Sequence, residues 1–457
     1  MLDTGDTAWM LASTALVLLM TPGLALFYGG MVRSKSVLNM MMMSLGSVGL
    51  VGILWALYGY SIAFGNDVGG GLLGNPGEYF GLAGLFAGDY GADPAMFPMS
   101  GTIPALVFVG FQATFAIITT ALISGAVADR LRFGPWLVFA GLWATIVYFP
   151  VAHWVFAFSD EESGVVGGWI ANDLAAIDFA GGTAVHINAG AAALALAIVV
   201  GKRAGWPREP MRPHNLTLVM LGAALLWFGW FGFNAGSALG ANGTAAFAMV
   251  NTILATCAAM LGWLLTERVR DGKPTSLGAA SGIVAGLVAI TPACSSVSPM
   301  GGIAIGLIAG VLCALAVGLK FRFGFDDSLD VVGVHLVGGL AGTILIGLFA
   351  DPGSPAAVAG LFYGGGVDQL WRQIVGAGAV LAYSFVVSLA LAYLVKAVMG
   401  LRLTPEEEAT GIDETEHAET GYDFSSHRSI SGLGSPRPDA ATTAAGSHVP
   451  ATAGKEA

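Results

Sequence analysis

Eleven apolar runs follow one another along the chain, separated by short polar stretches, and each run is long enough to cross about 30 Å of hydrocarbon as a helix. The pattern predicts helices over 8–32, 37–64, 101–128, 134–158, 180–201, 214–236, 244–266, 276–292, 300–319, 330–350 and 370–400. The polar stretches alternate in charge. Arg33 with Lys35, Asp129–Arg130 with Arg132, Lys202 with Arg203, Arg268 with Arg270, Lys320 with Arg322, and Arg402 follow the odd-numbered runs. The loops after the even runs are acidic or neutral: one holds Asp67, Glu78, Asp89 and Asp93, another Asp160, Glu161, Glu162 and Asp173. Basic loops stay in the cytoplasm. The expectation is therefore an outer N-terminus and a cytoplasmic C-terminus, which needs an odd number of spans. Runs one to five and six to ten would be two five-helix units of opposite orientation, with the eleventh helix added. Inverted repeats of this kind bring corresponding elements together near mid-membrane. The fold class is an all-α polytopic membrane protein.

Composition agrees. The 457 residues include only 11% charged side chains, and mean hydropathy is +0.73, outside the range of a soluble globular domain. The 67 glycines suit close helix approach in lipid. Formal net charge is −11, much of it in outer loops and the tail, so it does not argue against a membrane surface and lipid contact. No basic patch with interleaved aromatics is present, which excludes nucleic acid as a partner. Cys257, Cys294 and Cys313 are scattered in apolar runs and suggest neither disulfides nor zinc. No cofactor is expected. The acidic start MLDTGDTAWML lacks the basic region of a signal peptide, so the first helix is expected to be retained. The apolar pattern stops at Arg402. Residues 403–424 read as a short ordered tail, and 425–457, rich in Ser, Thr, Ala, Pro and Gly, as disordered.

Candidate chemistry concentrates in two related stretches, DFAGGTAVHINAG at 178–190 and DVVGVHLVGGLAG at 330–342. Each runs acid, histidine, small residues, apolar helix. An ionisable group inside a bilayer costs several kcal/mol unless paired or hydrated, which marks a pathway. His186 and His335 lie on the fifth helix of each unit. Two neutral imidazoles in contact can relay a proton or hydrogen-bond a small polar solute. A metal would need further ligands, and no HExxH pattern occurs. Asp178 reads as an N-cap at the outer end of helix five, a fixed carboxylate that lowers the cost of an arriving monovalent cation; Asp330 is taken as its equivalent on helix ten. The aromatic clusters FQATF at 111–115 and WFGWFGFNAGS at 227–237 fit either an interfacial belt or a lined cavity whose rings bind cations and exclude water. The Met run at 40–43 reads as packing surface. His153 and His214 lie near helix ends, and His417, His427 and His448 in the tail, so none is assigned to a pore. With no nucleophile–base set in the membrane segments, an enzyme is not expected.

These residues resemble the Amt/Mep/Rh ammonium transporters, most of all bacterial Amt proteins. The matching stretches are TPGLALFYGGMVRSK at 21–35, DFAGG at 178–182 with His186, WFGFNAGS at 230–237, TPAC at 291–294, and Asp330 with His335. They cover about residues 5–422. The resemblance implies eleven helices per subunit, a homotrimer, and one pore in each subunit. It makes residues 1–402 the transport domain, located in the cell membrane. By position, His186 and His335 would be the twin pore histidines and Phe115 and Phe233 a stacked gate. Ser237 would meet the cation outside with Asp178 behind it, Phe111 would belong to the same recruitment region, and Trp230 would line the pore below the gate. The family's vestibule tryptophan is missing from HWVF at 153–156; either Phe156 replaces it or Trp169 folds back to supply it. The tail GLRLTPEEEATGID at 400–413 is similar to the family's regulatory tail, which implies a cytoplasmic PII-type signalling protein as partner. The function implied is ammonium recruitment outside, deprotonation, and ammonia passage, with an ammonium sensor as the alternative.

Overall fold

Helices dominate the computed structural model, which describes residues 1–86, 88, 97–162 and 164–423. Asp89, Asp93 and the tail from 425 onward, expected to be loop and disordered, lie outside the described residues. Met1–Gly421 pack as one unit. Ten helices in it are long and apolar enough to span a membrane: α1 Thr4–Met31, α2 Val37–Phe64, α3 Ala105–Val127, α4 Phe133–Phe156, α5 Gly182–Val200, α6 Leu216–Gly236, α7 Gly243–Arg270, α9 Pro299–Phe323, α10 Val332–Phe349 and α11 Asp368–Met399. Between them α8, Ser276–Ile290, is apolar but only 15 residues long, about 22 Å at the helical rise. The eleven expected runs are thus eleven helices among the described residues. Their ends move by a few residues: α3 begins at Ala105, after a hairpin of Met99–Ser100 and Ile103–Pro104. Two short helices follow in the tail, α12 Pro405–Thr410 and α13 Ile412–His417.

The starts follow local chemistry. Asp3, Asn215, Asn242, Thr275 and Ser298 each precede an apolar run and accept a first-turn N–H through their side chains. These bonds satisfy donors that a helix start otherwise leaves orphaned.

Small residues set the packing. Gly222, Gly229 and Gly236 form a stripe on α6 that lies against Phe27, Met20 and Ser13 of α1. At Gly222 an added Cβ would come 2.3 Å from the Phe27 amide nitrogen. The sequence numbers run in opposite directions along this contact, so α1 and α6 are antiparallel. The pair α5 and α10 is antiparallel too, with Gly190 on Leu336 and Gly339 on His186 and Ile187. Helices one and six, and five and ten, are corresponding members of the two five-helix units, the pairs an inverted repeat joins. Lipid supplies no hydrophobic force between helices, so such close backbone contact carries the association.

Helix α11 clasps both histidine helices from outside. Gln373 donates to the Ile177 and Thr343 carbonyls at 2.7 and 3.1 Å and accepts from the Ile177 amide at 2.7 Å. Ser384 donates to the Asn188 carbonyl at 2.8 Å, and Trp143 of α4 donates to Ser388 at 2.9 Å. The result places α5 at the centre: 89% of it is buried, against 33% of α2 and α11.

Candidate functional site

The two histidine helices begin in the same unusual way. His186 lies in a π-helical turn, Gly182–Ile187, and His335 in another, Val332–Leu336. Such turns are rare and cluster at functional sites, because one residue per turn is pushed out of α-helical register. Ahead of α5, Asp178 accepts the amides of Gly181, Gly182, Thr183 and Ala184 at 2.6–3.1 Å, and the Thr183 hydroxyl as well. Gly181 has φ +119°, open to glycine and costly for other residues. At Gly182 a Cβ would meet Pro292 at 2.4 Å. The stretch DFAGG is therefore a carboxylate cap, a left-handed glycine and a close-contact glycine.

Ahead of α10 the cap is Asp327, which accepts the amides of Val331 and Val332 at 3.1 and 2.7 Å. This corrects the expectation that Asp330 is the equivalent of Asp178. Asp330 occupies the place of Gly181, five residues before the histidine, and adopts φ +63°; aspartate tolerates that region better than most residues. Its carboxylate turns away to the Lys320 ammonium at 2.7 Å.

An aromatic column runs down to the two imidazoles. Phe111 lies 4.9 Å from Phe115, and Phe115 stacks on Phe233 with centroids 4.0 Å apart and planes at 18°. Phe233 lies 6.2 Å from His186, and Trp230 stacks on His186 at 5.5 Å. The column ends where His186 and His335 stack at 5.4 Å, their Nδ1 atoms 3.3 Å apart. One Nδ1 must carry the hydrogen and the other accept it. The His186 Nε2 is buried with no hydrogen-bond partner. All six rings are buried.

Two cavities flank the Phe115–Phe233 pair. One, of about 280 Å³, is walled by Phe64, Phe108, Phe115, Phe156 and Phe179 and includes Gln112 and Ser237. The Ser237 hydroxyl donates to the Phe233 carbonyl at 2.8 Å, leaving its lone pairs for a cation. The other is lined by His186, His335, Trp230, Phe233 and aliphatic side chains such as Leu24 and Leu226. Its free volume of about 10 Å³ is close to the least that admits one water-sized molecule.

The remaining expected site residues separate. Phe156 lines the larger cavity; Trp169 does not, packing instead 6.0 Å from Trp154. Phe111 sits behind Phe115, without lining either cavity. Trp230 lines the inner cavity and not the larger one, so it stands across the Phe pair from the larger cavity. Asp178 spends both oxygens on helix caps and borders a different surface hollow. In helix six Phe228 faces outward while Trp230 and Phe233 are buried, so that cluster serves both the exterior and the interior.

Sequence reasoning gave no role to Thr291 or Asp327. Thr291 accepts the Trp230 indole N–H at 2.8 Å and lies 3.2 Å from the Asn234 Oδ1, while Asn234 donates to Thr252 at 2.9 Å. This buried chain holds Trp230 in its stack on His186. Asp327 had a signal: it lies eight positions ahead of His335, as Asp178 lies eight ahead of His186.

On the face that carries the tail, buried charges tie the helix ends together. Arg203 forks onto Asp326 at 2.8 and 2.9 Å and reaches Asp129 at 3.1 Å. Arg130, fully buried, donates to Ser328 and to the carbonyls of Asp326, Gly201, Ala126 and Ala128. The tail docks beside them. Asp413 accepts the Leu38 and Asn39 amides at the start of α2 at 3.0 and 2.8 Å, and Glu416 accepts Arg132 and the Phe133 amide at the start of α4. The tail's acids thus act as caps for two membrane helices. No group of residues able to hold a metal occurs among the described residues.

Comparison with known proteins fits this geometry. Residues 8–422 match the model of the Ammonium Transporter Family. An ammonium transporter of Mycobacterium tuberculosis is 70% identical over 92% of this chain and 91% of its own. The crystal structure of Saccharomyces cerevisiae Mep2 superposes with a TM-score of 0.80 at 34% identity, covering 89% of each chain. A structure described as a sensor Amt protein superposes with a TM-score of 0.80 at 30% identity, over 90% of this chain and 98% of that one. The helices, the paired histidine turns and these likenesses lead to one conclusion: the chain is a multi-pass membrane protein and belongs to the ammonium transporter family.

Proposed function

We propose that this protein carries ammonium nitrogen across the membrane by taking the cation into the larger cavity, removing its proton at the Phe115–Phe233 pair, and passing ammonia along His186 and His335. The observation that carries the reading is the continuous column from Phe115 to His335, in which His186, whose Nε2 has no hydrogen-bond partner, lines a cavity the size of one small molecule. Aromatic faces and the Ser237 lone pairs favour a monovalent cation. Past the stacked rings the walls are apolar, and a bare cation there is costly, so ammonia passes and a potassium ion, which has no proton to lose, does not. If His186 Nδ1 accepts from His335, its Nε2–H donates to the ammonia lone pair; if it donates, its Nε2 accepts an ammonia N–H. A relay takes the released proton onto one Nε2, shifts the shared proton between the two Nδ1 atoms and gives up a proton from the other Nε2, and that whole sequence exchanges these states. Phe156 and Ser237 would recruit; Phe111 would brace the gate, Asp178 its supporting helix, and Trp169 would stay outside the path. By family resemblance the unit is a homotrimer with the tail in the cytoplasm, open to a PII-type protein, and residues 403–424 are the regulatory domain.

Ammonium-induced current on supported membranes tests this, wild type beside His186→Ala. Current that vanishes or loses selectivity in the variant supports the pathway. Silent wild-type protein, together with absent ammonia flux into dye-loaded vesicles, would defeat it. Docking of the acidic tail onto α2 and α4 favours a second reading, an ammonium sensor, as does likeness to a protein described as a sensor. A pure sensor fails to restore growth of transport-deficient cells on low ammonium.

A further inference from the structure

A cavity of about 380 Å³ opens on the tail-bearing face, where the α1–α2 turn, the α5–α6 connection and α12 meet. Arg33, Lys35 and Arg212 line it against a single carboxylate, Glu408. In a chain of net charge −11 this is a local inversion. The nearby acids are already engaged. Glu408 accepts from Arg402 at 2.8 Å and from the Ala204 amide at 2.8 Å, and Asp129 accepts from Arg203. Arg33 pairs with Asp129 through its Nε at 3.4 Å and with Glu408 at 3.7 Å, too far for good hydrogen bonds, and the shielded Nε makes no hydrogen bond. Lys35 donates to the neutral Ala409 carbonyl at 3.1 Å. Arg212 is exposed and forms no ion pair among the described residues. The hydroxyls of Ser34 and Ser36 add donors, and Ser36 does not cap α2 through its side chain. Within the cavity wall, donors and positive charge therefore exceed the acceptors that line it.

We propose that this cavity binds a phosphate group, carried by an anionic lipid headgroup or by a soluble phosphorylated molecule. Guanidinium forks match phosphate oxygens, and an ammonium adds charge without geometric demand. The cavity lies among the ends of α1, α2 and α6, and basic pockets between membrane-helix ends bind such headgroups. Glu408 and Ala409 of the tail form one wall, so an occupant repels the Glu408 carboxylate and draws Lys35 away from Ala409. Occupancy loosens the tail from the membrane domain. The site stands apart from the histidine column, and this inference does not depend on the transport reading.

The test uses the full chain in phosphatidylcholine nanodiscs, titrated with inorganic pyrophosphate by calorimetry. A second arm uses nanodiscs containing phosphatidylglycerol, with the lipid kept through detergent washing counted by mass spectrometry. Arg212→Glu is the main variant, since Arg212 is exposed and unpaired; Lys35→Gln supports it and Arg212→Lys is the conservative control. Binding about tenfold weaker in Arg212→Glu and nearly kept in Arg212→Lys is expected for loss of one charged contact. Pyrophosphate binding with that response assigns a soluble ligand. Retained phosphatidylglycerol with that response, and no pyrophosphate binding, assigns a headgroup. Failure in both arms, or equal binding by wild type and Arg212→Glu, overturns the proposal.

Discussion

Asp327 stands to His335 as Asp178 stands to His186: each carboxylate lies eight residues ahead and caps the π-helical turn that holds its histidine. The position of both imidazoles thus depends on a charge that never needs to touch the permeant molecule. Asp178→Ala or Asp327→Ala should therefore destabilise the protein by about 2–4 kcal/mol, since four amides at the first and two at the second lose their acceptor together. Asp330→Asn, which keeps a side chain tolerant of φ +63° and weakens only the Lys320 contact, should cost about 1 kcal/mol. Thermal denaturation in detergent gives the order; a more severe loss at Asp330 would contradict the assignment.

Thr291→Val removes the acceptor of the Trp230 indole at nearly constant volume. A buried unsatisfied N–H costs about 1–3 kcal/mol, and the indole gains freedom to leave the His186 stack. Thr291→Ser should restore it. Ammonium flux should fall severalfold in the valine variant and recover in the serine one. If both behave as wild type, Trp230 is held by packing alone.

Phe156, and not Trp169, lines the larger cavity. Trp is the better cation–π partner, in an interaction worth about 0.5–1 kcal/mol at an exposed site. Phe156→Trp should lower the half-saturating ammonium concentration two- to fivefold, whereas Trp169→Phe should leave it unchanged. Concentration series of the initial current separate the two.

Arg203 and Asp326 predict an acid limit. Burial pushes the Asp326 carboxyl up, but Arg203's hydrogen bonds and the Arg130 charge outweigh it and hold the group below the usual range. A depressed carboxyl contributes stability that is complete above its unfolded value and is lost as pH falls through the folded one. The contribution should therefore persist at pH 5 and fade below pH 3.8, the ordinary carboxyl value. Arg203→Gln should cost about 3–5 kcal/mol at neutral pH by leaving Asp326 buried without its partner. Its melting temperature should then depend less on acid than the wild type's.

The docked tail gives a proteolysis prediction. Asp413→Ala and Glu416→Ala each uncap a membrane helix and free the tail, at about 1 kcal/mol per cap. Cleavage within 400–421 should speed up in the double variant while the melting temperature of the membrane domain drops only slightly. Unchanged cleavage would mean that α12 packing holds the tail without those caps.

Much of the architecture was legible along the chain because lipid imposes simple rules. Every span must satisfy its own backbone, so length and apolarity mark helices, and the short α8 still declared itself by its apolar run. The pairing of His186 with His335 followed from where they fall in two repeats, and Phe115 with Phe233 from resemblance. The correspondence at the second cap was misread, because Asp330 has the right chemistry beside the histidine but sits in the position of Gly181. Chemistry type is visible in a residue; its backbone conformation and the direction of its side chain are not. The same holds for Phe156 and Trp169, both aromatic and both near the right place, which only the fold of the 157–177 connection separates. Sequence by itself determined the spans, the repeat and the residues with reactive groups, since these depend on local composition and spacing. Tertiary structure decided which groups meet: which acid caps, which ring lines a cavity, that Thr291 holds Trp230, and that Arg33, Lys35 and Arg212 converge. Those contacts join residues up to several hundred positions apart, through close glycine packing that no local pattern encodes.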